Sequence, residues 1–120
     1  MIKHSRYVIA VHDLERSARY YNEVLGFEIR EIGDPGWRFF LRDTCFIMAG
    51  ECPEAASPED LGDHSYFAYL EVDDIDTLHD SVTGKEAELI KELTDEPWGM
   101  REFGIRTIDG HRMMFGTEIT

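Results

Sequence analysis

Cysteine is scarce in this 120-residue chain, with two residues, and proline nearly so, with four. Cys45 falls in an apolar run that reads as a strand. An extended path from there to Cys52 would put the pair on the order of 20 Å apart, beyond disulfide reach. Neither cysteine has the spacing of a zinc ribbon or a CxxC redox site. No secretory apolar region follows Met1, and no stretch is long and apolar enough to span a bilayer, so the expectation is a cytoplasmic protein with reduced thiols.

Positive charge is also in short supply. Lys and Arg total 12 against 25 Asp and Glu, a formal charge of −13. Such a surface repels phosphate backbones and anionic lipid, so neither nucleic acid nor membrane is an expected partner. It would draw in cationic molecules, although acidity by itself also confers plain solubility. No phosphate-binding loop, metalloprotease motif or nucleophile–base pair is evident. A Cys45–His64 thiol–imidazole pair is the nearest approach, and a thiol within an apolar strand is ordinarily inert.

What remains is an ordinary globular composition, 42% hydrophobic and 12% aromatic. A chain of this length buries about two-thirds of its unfolded surface and needs no covalent staples. "SRYVIAV" reads as a strand. The pattern then changes period, with Leu14, Ala18, Tyr21 and Leu25 at helical spacing, Asp13 suited to the helix start and Gly26 to its end. Strands follow in "FEIREIG", "WRFFLRD" and "TCFIMAG", separated by "GDPG" and an Asp43-Thr44 turn. Residues 51–64 lack periodicity and read as a linker. Beyond them come a strand "YFAYLEV", a helix with Ile75, Leu78 and Val82 on one face, and a strand in "EAELIKEL". "MREFGIRT" and "HRMMFGT" end the chain, joined by an Ile108-Asp109-Gly110 hairpin turn.

The second half echoes the first. "AVHDLERS" answers "LEVDDIDT", each running Val-x-Asp-apolar out of a strand into a helix. "WRFFLRDTCFIMAG" answers "MREFGIRTIDGHRMMFG". A repeat of about sixty residues exceeds solenoid periods, so duplication of a βαβββ unit accounts for it better. The expected fold class is α+β, with tandem βαβββ modules at about 1–50 and 65–120 around the 51–64 linker.

With "VHDLERSARYYNEVLGFEI" near the start and "IRTIDGHRMMFG" near the end, the chain resembles the glyoxalase/bleomycin-resistance/dioxygenase superfamily over essentially its whole length. The resemblance implies paired modules whose strands curl around a cleft, usually in a homodimer. Enzymes of that superfamily hold a divalent metal with four His or Glu side chains. The corresponding positions here are Arg6, Met48, Phe67 and Met114. A guanidinium, a phenyl ring and two thioethers do not suit a hard divalent ion, so no metal or other cofactor is expected there. A displaced site using His4 and His64, serving a glyoxalase-type lyase, isomerase or dioxygenase, is the alternative.

"PWGMREF" narrows the resemblance to the metal-free bleomycin-resistance proteins, which sequester a cationic glycopeptide antibiotic in grooves between subunits. Their clamping aromatics correspond to Trp98 and Trp37, the only tryptophans in the chain. Phe39, Arg101 and Phe103 are further candidate ligand contacts, with Asp34, Glu31 and Glu102 as acidic contributors. Against this, Trp98 could merely cap a barrel end, the phenylalanines could be core, and Arg38 and Arg101 could serve as partners for carboxylates. The resulting expectation is a homodimeric, non-catalytic protein that binds a small cationic or aromatic molecule. A third possibility is a structural dimer whose cleft is filled by its own side chains.

Overall fold

Asp13 starts the first helix: its carboxylate accepts a hydrogen bond from the Arg16 N–H at 3.1 Å, which satisfies one of the donors a helix leaves open at its N-terminus. Asp74 does the same for the second helix through the Thr77 N–H at 3.2 Å. These two caps mark corresponding points in two units, Met1–Ser57 and Pro58–Thr120. The computed structural model describes residues 1–61, 65–85 and 87–119.

In the first unit, β1 (Tyr7–Val11) leads into α1 (Leu14–Glu23), followed by β2 (Glu28–Glu31), β3 (Trp37–Arg42) and β4 (Cys45–Glu51). The sheet order is β1-β4-β3-β2, with β1 parallel to β4 and the other pairs antiparallel. The second unit has β5 (Tyr66–Glu71), α2 (Ile75–Thr83), β6 (Glu88–Asp95), β7 (Met100–Arg106) and β8 (Arg112–Glu118). Its order, β5-β8-β7-β6, repeats the same pattern, again with one parallel pair. The fold is thus α+β with duplicated βαβββ modules, as the sequence echo predicts.

Each sheet packs one face on its own helix. Tyr21 of α1 stacks on Phe40 at 4.6 Å between ring centroids and meets Phe27 edge-on at 5.5 Å. Ile9, Val11, Ile47 and Ala49 complete that buried row. In the second unit Phe103 stacks on Phe115 at 5.1 Å, beside buried Ile105, Met113, Ile75, Leu78 and Val82. Each large apolar side chain buried in this way contributes about 1.5–3 kcal/mol, against about 0–1 kcal/mol for an exposed ion pair. The helix-facing rows therefore decide which way each strand is turned.

Two local details differ from the sequence reading. The α1 cap is Val24, and Gly26, with φ +74°, lies one residue further out than a C′ glycine. The expected linker is divided between the units. The Cys52 N–H bonds to Val11 O at 2.7 Å and the Leu14 N–H to the Glu51 carboxylate at 2.9 Å, tying the start of the segment to β1 and α1. A short 3-10 turn, Pro58–Asp60, and Leu61 belong to the second unit: the Arg112 guanidinium donates to Leu61 O at 3.1 Å. Among the described residues no helix is long and apolar enough to cross a membrane.

Candidate functional site

Strand alternation gives each sheet a second face, turned away from its helix. In the first unit Phe40 points to α1, so Trp37, Phe39 and Leu41 point the other way. The register places Phe39 opposite Met48 and Trp37 opposite Gly50. Phe46 joins them, tilted against Phe39 at 4.9 Å, and the Arg6 guanidinium lies over the Phe46 ring at 4.3 Å. Val8, paired with Met48, is 65% exposed. This face is a largely apolar surface carrying one stacked cation.

The two tryptophans sit on related turns but in different surroundings. In Asp34-Pro35-Gly36-Trp37, the Asp34 carboxylate accepts from the Gly36 N–H at 2.8 Å and Asp34 O accepts from the Trp37 N–H at 3.3 Å. Trp37 then becomes the first residue of β3. Its indole lies over Gly50, where an added Cβ would meet three ring carbons at 3.0–3.2 Å. In Glu96-Pro97-Trp98-Gly99, Glu96 O accepts from the Gly99 N–H at 3.0 Å, and Gly99 takes φ +87°. Proline suits the second position of such a turn and glycine the left-handed one. Trp98 is left at the third position with its side chain outward, 64% exposed.

Behind Trp98 the second sheet carries a buried carboxylate. Glu102 of β7 is 3% exposed and faces away from α2. It accepts from the Tyr69 hydroxyl at 2.7 Å and from the Lys91 ammonium at 2.6 Å. Lys91 also reaches the Glu96 carboxylate at 3.3 Å and lies 5.8 Å from the centroid of the Trp98 ring. Burial pushes Glu102 up, but hydrogen bonds from Lys91, Tyr69 and the Trp98 indole outweigh it and hold the carboxyl below its ordinary range. Burial likewise disfavours the Lys91 cation, and its two carboxylate partners more than restore it, leaving its pKa raised. Tyr69, desolvated and donating to Glu102, is held well above the usual phenol range.

Several sequence-derived contacts fall elsewhere. Phe103 is fully buried against Phe115 and the His79 ring of α2, within the core of its unit. Arg101 shares that helix side of β7. Its guanidinium donates to both oxygens of Asp95, at 2.5 and 3.0 Å, and to Asp76 of α2 at 3.2 Å, so it serves as a surface partner for carboxylates. Glu102 is neutralised by Lys91, Asp34 is engaged in its own turn, and Glu31 pairs with Arg38 at 3.7 Å. Arg38 is bound more closely by Glu15 of α1. Glu102 and Glu31 are thus each paired with a cation, and Asp34 is held by its own turn.

The metal-ligand positions of the resemblance do not form a donor set. Arg6 is stacked on Phe46 and Met48 lies on the open face of the first sheet. Met114 pairs with Gly104 and Tyr69 in the second. Phe67, at a bulge in β5, meets the His111 ring edge-on at 5.7 Å. Thioethers, a phenyl and a permanently protonated guanidinium do not fit Mg²⁺, Mn²⁺, Ni²⁺ or Zn²⁺. Among the described residues no three His, Cys, Asp or Glu side chains gather closely enough to hold a metal ion. His4 is exposed, while His64, and with it the suggested His4–His64 and Cys45–His64 pairs, lies outside the described residues. Burial pushes the Cys45 thiol up to about 11, which leaves it a poor nucleophile.

A sequence model of the Glyoxalase/Bleomycin resistance protein/Dioxygenase superfamily matches residues 3–115. The chain belongs to this superfamily. Comparison with curated protein sequences gave no match. Among solved structures, a glyoxalase-related enzyme from Clostridium phytofermentans is similar with a TM-score of 0.80 at 18% identity, covering 99% of this chain and 97% of the other. TioX from Micromonospora sp. ML1 superposes with a TM-score of 0.73 at 22% identity, covering 96% and 99%. TnmS3, an antibiotic binding protein from Streptomyces sp. CB03234, gives 0.73 at 18% identity, with 98% of each chain covered. At these identities the likeness shows the fold.

Sequence reasoning named Trp98 and Glu102 but not Lys91 and Tyr69, which join them. Lys91 and Tyr69 lie 11 and 33 residues from Glu102. Their only local signal is a lysine inside the apolar strand "ELIKEL".

Proposed function

We propose that this chain is a metal-independent binding protein that takes up a small cationic or aromatic molecule by stacking it on Trp37 and Trp98, without making or breaking bonds. Glycopeptide antibiotics of the bleomycin type are the first ligand class to try, and the working form is a homodimer. The observation that carries this reading is Trp98. A fully formed turn holds a large flat side chain outward, 64% exposed. The donor chemistry of Arg6, Met48, Phe67 and Met114 supports binding over metal-assisted catalysis, and the description of TnmS3 as an antibiotic binding protein is consistent with it.

Magnitudes limit what the indoles can do. One aromatic stack adds about 0.5–1.5 kcal/mol beyond area burial, and a cation over an indole about 0.5–2 kcal/mol. Micromolar affinity needs about 8 kcal/mol. The rest must come from apolar contact with residues such as Phe39, Met48 and Met114, and from the field of a chain carrying −13. Calorimetry and tryptophan emission, with bleomycin as titrant, test the reading. Saturable heat and altered emission support it, and no change at high micromolar drug removes the bleomycin-specific version.

A further inference from the structure

We infer that Lys91 and Glu102 are positioning residues for Trp98: they hold the indole on its turn in one orientation before any ligand arrives. The inference rests on Trp98 being a ligand platform, but it concerns the unliganded protein. An indole that is 64% exposed has few packing neighbours to select its rotamer. What it does have is its hydrogen bond to Glu102 and the Lys91 ammonium 5.8 Å from its ring centroid, within the range of a cation–π contact. That ammonium is fixed at two further points. Glu102, rooted in β7, holds it at 2.6 Å, and Glu96, the first residue of the turn bearing Trp98, holds it at 3.3 Å. Lys91 thus ties the turn to the sheet and lies against the ring.

Glu102 is a nearly fully buried carboxylate paired with the Lys91 cation. A buried ion pair is often no more stable than apolar residues of similar volume, and its best-attested use is to specify one arrangement among several. The neighbouring glycines fit this role. Gly116 leaves room for the Tyr69 hydroxyl, which would collide with any side chain there, and a Cβ at Gly104 would come within 3.3 Å of the Lys91 Cβ. The Tyr69 hydroxyl that donates to Glu102 and the Lys91 side chain that pairs with it therefore each lie beside a bare backbone position. Ordering a side chain in advance lowers the entropy that binding must overcome.

The test uses the Trp37→Phe protein, in which Trp98 is the sole tryptophan, without ligand. Time-resolved emission anisotropy and acrylamide quenching report its local freedom. Glu102→Gln and Lys91→Met are expected to lose the restricted component of the decay and to become more quenchable. Lys91→Arg, which keeps a cation between the two carboxylates, is expected to restore the parent behaviour. The parent should loosen in the same way as pH falls below the ordinary carboxylate range, where Glu102 loses charge while Lys91 keeps its own and Tyr69 stays neutral. Should Glu102→Gln fail to fold by far-ultraviolet circular dichroism, Lys91→Met, altering a partly exposed side chain, decides the matter. Coincident decays in all variants would overturn the inference. A failure to bind bleomycin would leave these decays untouched, so the two readings fail separately.

Discussion

The Trp37 indole lies over Gly50, its cross-strand partner, so closely that a methyl group at position 50 would meet three ring carbons at 3.0–3.2 Å. Gly50 is thus the floor on which one of the two tryptophans rests. In Gly50→Ala the ring must lift or tilt. We expect a loss of about 1–3 kcal/mol, the usual cost of overpacking, measured by urea unfolding. In a Trp98→Phe background the same change should shift Trp37 emission to the red. An unaltered spectrum would mean that the indole does not depend on that floor.

Acid should uncouple the network behind Trp98. Glu102 is held below its ordinary range, so it binds fewer protons folded than unfolded. Its contribution to stability is therefore complete above the unfolded value of about 4.3 and is lost as pH falls through the folded one. Lys91, raised, contributes fully below its unfolded value of about 10.4 and loses its share as pH rises through the folded one. Wild type should exceed Glu102→Gln in stability at neutral pH, with the gap closing toward pH 3. A gap that widens on acidification would contradict the assignment.

Much of the fold was legible because it depends on local chemistry. Asp13 caps a helix whose apolar residues recur every three or four positions, and the Asp109-Gly110 turn closes a hairpin with the Thr107 N–H on His111 O at 2.7 Å. The site was less legible because face and partner are non-local properties. In "MREF", alternation requires Arg101 and Phe103 to share one side and Glu102 to take the other, so the three could never line one surface. Which side meets the helix is decided by Phe115, Met113 and α2. That Glu102 is neutralised follows from Lys91 and Tyr69 on two other strands, a pairing no local pattern announces.

The reassignment of Phe103 and Arg101 has its own test. Phe103→Ala should cost about 3–5 kcal/mol of stability, as a large core deletion does. Arg101→Gln removes surface ion pairs worth about 0–1 kcal/mol each and should leave bleomycin titrations unchanged. A selective loss of affinity in Arg101→Gln would return that residue to the ligand site.

Metal content separates binding from metal-assisted catalysis. Protein purified without chelators should carry far less than one equivalent of Mn, Fe, Ni or Zn by elemental analysis, given the side chains at positions 6, 48, 67 and 114. One equivalent, lost when His4 or His64 is replaced, would favour an enzyme with displaced ligands.

Calorimetric titration of bleomycin into wild type and Trp98→Ala tests the central claim most directly. Because Trp98 is mostly solvent-exposed but hydrogen-bonds to Glu102, its removal should cost about 1–2 kcal/mol of stability and leave the fold intact. The account predicts saturable heat with wild type and a clear loss of affinity in the variant. Equal affinity in the two proteins would contradict it.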